Sequence, residues 1–113
     1  MAIIEVQTLE TFPGGAAVLW EQMAGGDTGA PLKLNRFAGA VSAVQVTGTF
    51  GGTLTMQGSI DGTNWVDLTT TAGDAAALTA AGGIELGTAF LYIRPSAGAG
   101  ISGVDVYLCI RAG

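Results

Sequence analysis

Residues 41–68 read VSAVQVTGTFGGTLTMQGSIDGTNWVDL, and the remainder of the chain can be arranged as strands around them. Val44, Val46 and Phe50 alternate with Gln45, Thr47 and Thr49, the period-two signature of a strand with one buried face. Gly51-Gly52 offers a two-residue link where this pattern pauses. Alternation then resumes, with Leu54, Met56 and Ile60 on one face and Thr53, Thr55, Gln57 and Ser59 on the other. Asp61-Gly62 is a second turn signal, and Trp65, Val66 and Leu68 open a third strand. The expectation is a three-stranded antiparallel meander joined by tight turns, the smallest unit that sustains a sheet with one apolar face.

Outward from this stretch the same grammar continues. Residues 3–9 predict a first strand, stopped at Pro13-Gly14-Gly15, and residues 17–23 a second, with Val18 and Trp20 facing one way and Leu19 and Glu21 the other. Residues 24–31, AGGDTGAP, are a loop by composition, and residues 32–34 a short edge segment before the connection at 35–39. The alanine-rich stretch at 72–81 is too interrupted by glycine for a long helix, so a loop with a short strand at 77–79 is expected. Ile84, Leu86 and residues 90–94 resume strand character, which Pro95 is expected to end. In the last strand Val104, Val106, Leu108 and Ile110 face inward, with Asp105, Tyr107, Cys109 and Arg111 opposite. Short strands spaced by glycine turns predict one all-β domain over 1–113, an antiparallel, jelly-roll-like β-sandwich, with a small barrel as the alternative. Residues 1–12 are set apart as an N-terminal arm.

Composition narrows the function. The chain has 113 residues, of which 49% are hydrophobic and 12% charged, with a net charge of -5. That hydrophobic content argues against disorder despite 19 glycines. Lys33, Arg36, Arg94 and Arg111 are scattered along the sequence, and an acidic chain disfavours nucleic acid or an anionic membrane as partner. No apolar run is long enough to span a bilayer, and MAIIEVQTLE lacks the basic start of a signal peptide, so synthesis in a reducing cytoplasm is expected. Cys109 stands alone and there is no histidine. A Ser-His-Asp or Cys-His arrangement and a histidine-supported zinc site are therefore excluded, and no catalytic, cofactor or metal residue is nominated. Asp61 and Asp67 flank one turn and are read as hairpin residues, not as a catalytic carboxylate pair. Asp27 lacks the ligand spacing of a calcium loop and is read as a turn cap.

The most specific local motif is GSIDGTNW at residues 58–65. Asp61 can accept from backbone donors across the turn, Gly62 can take a positive φ, and Trp65 covers the base. The motif resembles the Asp-box hairpin of sialidases, with one residue fewer between Asp and Gly, and a run in discoidin-like binding sandwiches. Its reading is structural, with sugar binding as the alternative. Trp20 is either a core filler or an interface anchor. Trp65, Tyr92 and Tyr107 complete the aromatic candidates for an interface, and the two tyrosines of the last two strands form either a contact patch or satisfied rim residues. Asp27, Gly51, Gly52, Asp61 and Gly62 are the turn formers.

Four pieces taken in order, WEQMAGGDTGAP at 20–31, VQVTGTFGG at 44–52, GSIDGTNW at 58–65 and YIRP at 92–95, resemble small head decoration or cement proteins of tailed bacteriophages. The resemblance implies a virion protein on the capsid surface, made in the host cytoplasm, that binds the major capsid protein and forms homotrimers bridging capsomers. The 72–83 segment and the 1–12 arm are then the pieces expected to reach a neighbour. A glycan- or receptor-binding module and a tail or neck component are the other readings.

Overall fold

The computed structural model describes residues 2–12, 15–33, 40–87 and 91–112. Twelve strands are present among them and no helix: β1 (Ile3–Ile4), β2 (Val6–Phe12), β3 (Gly15–Met23), β4 (Thr28–Gly29), β5 (Leu32–Lys33), β6 (Ala40–Thr49), β7 (Leu54–Ser59), β8 (Val66–Asp67), β9 (Ala77–Leu78), β10 (Gly82–Gly87), β11 (Tyr92–Ala97) and β12 (Ser102–Ala112). They form two sheets. The five-stranded sheet has the order β10-β6-β12-β3-β2, and the seven-stranded sheet runs β1-β4-β11-β7-β8 with β5 on β11 and β9 on β7. Neither closes on itself, so the fold is an all-β sandwich and not a barrel. The pairings are antiparallel except for β1 with β4.

Alternation explains the core. Val44 and Val46 of β6, Val106, Leu108 and Ile110 of β12, and Val18 and Trp20 of β3 point into the sandwich and are buried. Leu54 and Met56 of β7 and Ile93 of β11 meet them from the other sheet. β12 lies between β6 and β3, as its unbroken alternation suits: an inward valine or leucine at every second position packs against two neighbours. Among the described residues no buried side-chain nitrogen or oxygen lacks a hydrogen-bond partner.

The expected meander is corrected. β6 and β7 do not pair; they belong to different sheets, and residues 50–53 carry the chain across the sandwich. The second arch, residues 98–101 between β11 and β12, crosses beside it. Gly51 N donates to Gly100 O (3.0 Å) and Gly98 N to Thr53 O (2.8 Å). Gly51 and Gly52 are thus not a hairpin turn but the point where two backbones touch: a Cβ on Gly52 would overlap the Ala99 carbonyl oxygen. The second half of the stretch is a hairpin, with Gln57 opposite Asp67 and Gly58 opposite Val66. β7 ends at Ser59, so Ile60 is exposed on the turn and not inward.

Pro95 does not end its strand. β11 continues to Ala97, because Pro95 faces Met56 at a position where the Met56 amide and carbonyl turn away, toward Ala76 O and Leu68 N. The proline nitrogen then lies on the side of the β4–β5 junction, between the Ser96–Thr28 and Ile93–Leu32 pairings, and no ladder bond is lost. The described part of the 1–12 segment is no free arm: β1 pairs with β4 and β2 with β3 of the same chain. In the alanine-rich segment Ala76 and Leu78 are buried against β7, and its turns are exposed. The expected stop at residues 13–14, the connection at 35–39 and the start of the 90–94 strand at Phe90 lie outside the described residues.

Candidate functional site

Among the described residues no set of three or more Cys, Asp and Glu is placed to hold a metal ion. Asp61 and Asp67 are engaged separately, Asp61 within its own turn and Asp67 as acceptor from Gln57 Nε2 (3.1 Å). Asp27 is buried; its Oδ2 accepts from Ala24 N (3.0 Å) and its Oδ1 from Ala2 N (2.9 Å), so it closes the loop before β4 and anchors the chain's beginning to it.

The outer face of the seven-stranded sheet gathers two of the aromatic candidates, Tyr92 and Trp65. Tyr92 and Arg94 are two apart on β11 and so share a face, and Lys33 is opposite Tyr92 on β5. The Lys33 ammonium lies 5.9 Å from the Tyr92 ring centre, and the Arg94 guanidinium 4.1 Å from that of Trp65. Arg94 Nε donates to Gln57 Oε1 (3.0 Å), and Gln57 passes the chain of bonds on to Asp67. Guanidinium, indole and two polar side chains therefore hold one another in place. Lys33 and Arg94, far apart in sequence, stand on adjacent strands. Sequence reasoning missed them because only the β5–β11 pairing unites them; the Tyr-x-Arg spacing at 92–94 was the available half of the signal.

The hairpin at 59–66 borders this face. Asp61 Oδ1 accepts from Asn64 N (2.8 Å), Thr63 N (2.8 Å) and Ser59 Oγ (2.9 Å), while Oδ2 accepts from Asn64 Nδ2 (2.7 Å). Ser59 Oγ in turn accepts from Gly62 N (2.9 Å). Gly62 has φ +78°, and a Cβ there would lie 3.4 Å from the Tyr92 ring, so the turn rests on the tyrosine. The backbone amides of Asn64 and Thr63, and then the side chains of Asn64 and Ser59, hold the Asp61 carboxyl well below the usual carboxylate range. Because the folded pKa is depressed, the carboxylate's contribution is complete above the ordinary value of about 3.9 and is lost only as pH falls toward the lower one. NMR titration is expected to find Asp61 still ionised at pH 3, with the Thr63 and Asn64 amides slow to exchange. Asp61→Ala is expected to remove that protection; unchanged exchange would refute the capping role.

The other candidates separate. Trp20, carried as a possible interface residue, is fully buried, and its Nε1 donates to Ala30 O (3.0 Å); it is a core residue. Tyr107 is on the opposite side of the sandwich from Tyr92, since β11 and β12 lie in different sheets. The proposed patch of two tyrosines does not form. Tyr107 instead borders a shallow depression of about 750 Å³ on the five-stranded sheet, with Leu9, Ala17, Ala43 and Cys109.

No protein-family model matches the chain, and no curated protein matches it. Solved structures do. The SPBc2 prophage-derived protein YomS superposes with a TM-score of 0.63 over 95% of this chain and 100% of its own, at 7% identity. The cupin domain of Schizosaccharomyces pombe Cnp3 superposes with a TM-score of 0.53 over 96% of this chain and 64% of its own, at 13% identity. At these identities the likeness is one of fold: the chain is a two-sheet sandwich of the architecture that a prophage-derived protein and a cupin domain share.

Proposed function

We propose that the chain is a non-enzymatic structural protein of a phage particle, a capsid decoration or cement protein that binds the major capsid protein on the outer surface of the shell. The observation that carries this reading is the likeness to a prophage-derived protein over the full length of that protein. The described side chains offer rigid surface features that suit a docking role, among them the Asp61-capped hairpin and the Arg94–Trp65 stack. A clamp of this kind stabilises a pressurised shell because its contacts exist only in the assembled state, and several modest contacts act together. In this reading the chain self-associates as a homotrimer at capsomer junctions.

The glycan-binding alternative has one observation in its favour, the depression beside Tyr107. Trp65 suits it less, because Arg94 already covers one face of the indole. Cryo-electron microscopy of particles carrying the protein tests the proposal. Density at capsomer junctions is expected; density confined to the tail, neck or fibre tips would replace it with one of the other readings. A glycan array with the purified chain is expected to be blank.

A further inference from the structure

Asp61-Gly62 is the only place in the sequence where an aspartate precedes a glycine, and no asparagine does. Such a pair is chemically labile in an open chain. When the Asp61 carboxyl is protonated, the Gly62 nitrogen can attack its Cγ, forming a new C–N bond and expelling water to leave a cyclic imide. Water then reopens the ring at either carbonyl. Opening at the main-chain carbonyl leaves the peptide running through Cγ, an isoaspartate, with no net change of mass. Glycine allows this because no side chain shields its nitrogen. The hairpin nevertheless needs both residues: Asp61 supplies the acceptor, and Gly62 the φ of +78°. The liability therefore comes with the turn.

Burial does not protect the pair, since Asp61 is exposed and Gly62 only half-buried. The hydrogen bonds do. Gly62 N donates to Ser59 Oγ, and the Asp61 carboxylate accepts from Thr63 N, Asn64 N, Asn64 Nδ2 and Ser59 Oγ. Ring closure consumes the Gly62 N–H and the carboxylate, the two groups around which the turn is built. An imide has no N–H and no charge, so the bond to Ser59 is lost and the other four are lost or reduced to those of a neutral carbonyl. The same donors favour the ionised carboxyl, whereas closure requires the protonated one, because oxide is not a leaving group.

We propose that Asp61-Gly62 is the chain's site of spontaneous aspartate isomerisation and that the native hairpin holds it closed, so that isoaspartate forms there only through local opening of the turn. The product carries an extra main-chain carbon among the amides that Asp61 now caps, and the turn does not re-form around it as before. The inference goes beyond the decoration reading and does not depend on it.

The test is to hold the purified chain at mildly acidic pH, native in one sample and unfolded in urea in another, and to map its peptides over time. Electron-transfer fragmentation identifies isoaspartate by cleavage of its Cα–Cβ bond. The native chain is expected to isomerise at Asp61 at least about 10-fold more slowly than the unfolded one. Asn64→Ala removes one bond at an exposed position and is expected to speed the native reaction about 3-fold; Ser59→Ala removes two and is expected to speed it about 10-fold. Thermal unfolding is read alongside, because Ser59 is buried and its replacement can loosen more than the turn. Equal rates in the native and unfolded chains would overturn the protection, as would an Asn64→Ala rate no faster than the parent's. A Ser59→Ala chain that reacts more slowly would overturn it too, by showing that the hydroxyl carries the Gly62 proton to the carboxyl and promotes closure. Isoaspartate appearing first at Asp27, Asp67, Asp74 or Asp105 of the unfolded chain would overturn the assignment of the site.

Discussion

Gly52→Ala is expected to cost about 3 kcal/mol, the upper range for forcing an extra carbon into a packed site. The added methyl group would overlap the carbonyl oxygen of Ala99 and lie 3.0 Å from its carbon, and both atoms are backbone, so no side chain can swing aside. Relief requires the two arches to separate, which breaks the bonds from Gly51 N to Gly100 O and from Gly98 N to Thr53 O. For a domain of this size the loss corresponds to a drop of roughly 10–20 °C in Tm. Gly82→Ala is the matching control: nothing lies within 4 Å of a Cβ there, and the effect is expected to stay within about 0.5 kcal/mol. Thermal unfolding of the two variants side by side decides the matter. Equal melting temperatures would mean that the arches do not touch as described.

Trp20→Ala is expected to destabilise the fold by about 3–5 kcal/mol, as truncation of a large core side chain does. The indole is fully buried, paired across the sheet with Val106 and Val6, and anchored by its bond to Ala30 O. Gly29 shows how full the site is: a Cβ there would come within 2.6 Å of the indole Cδ1 and 2.5 Å of Pro95 Cδ. Trp20→Phe keeps most of the bulk and loses the bond, and should cost about 1–2 kcal/mol. Urea unfolding followed by circular dichroism is the measurement. If both variants unfold at the same urea concentration as the parent protein, Trp20 is not the core residue described.

How much of this was legible in the sequence depended on range. The inward residues of β12, Val104, Val106, Leu108 and Ile110, declare themselves by alternation, since side-chain period and burial are properties of one strand. The Asp61-Gly62 hairpin is equally local: its bonds span three residues or fewer. Gly51-Gly52 misled because a glycine pair suits a turn and an arch alike, and what distinguishes them is Gly100, half the chain away. Pro95 misled for a related reason: a strand tolerates proline wherever its nitrogen faces no acceptor, and that depends on neighbouring strands. Tyr92 and Tyr107 were set together by adjacency in sequence and parted by a crossing between sheets. The Lys33–Tyr92 and Trp65–Arg94 pairs stayed hidden because each depends on which strands lie side by side, an order that cannot be read from period alone.

The position of β12 has a consequence for synthesis. It fills the gap between β6 and β3, which do not pair with each other, and one edge of each must wait for it. A ribosome that has released β3 and β6 has therefore made strands that can pair on one side only, β3 with β2 and β6 in due course with β10, and that leave the other edge open. The registers that unite them, Ala17 with Cys109 and Ala43 with the same Cys109, join the two ends of the described chain and its middle. Such distant pairings place the protein among the slower folders, in milliseconds to seconds instead of microseconds. During that interval β3 and β6 are the segments most exposed to pairing with another chain.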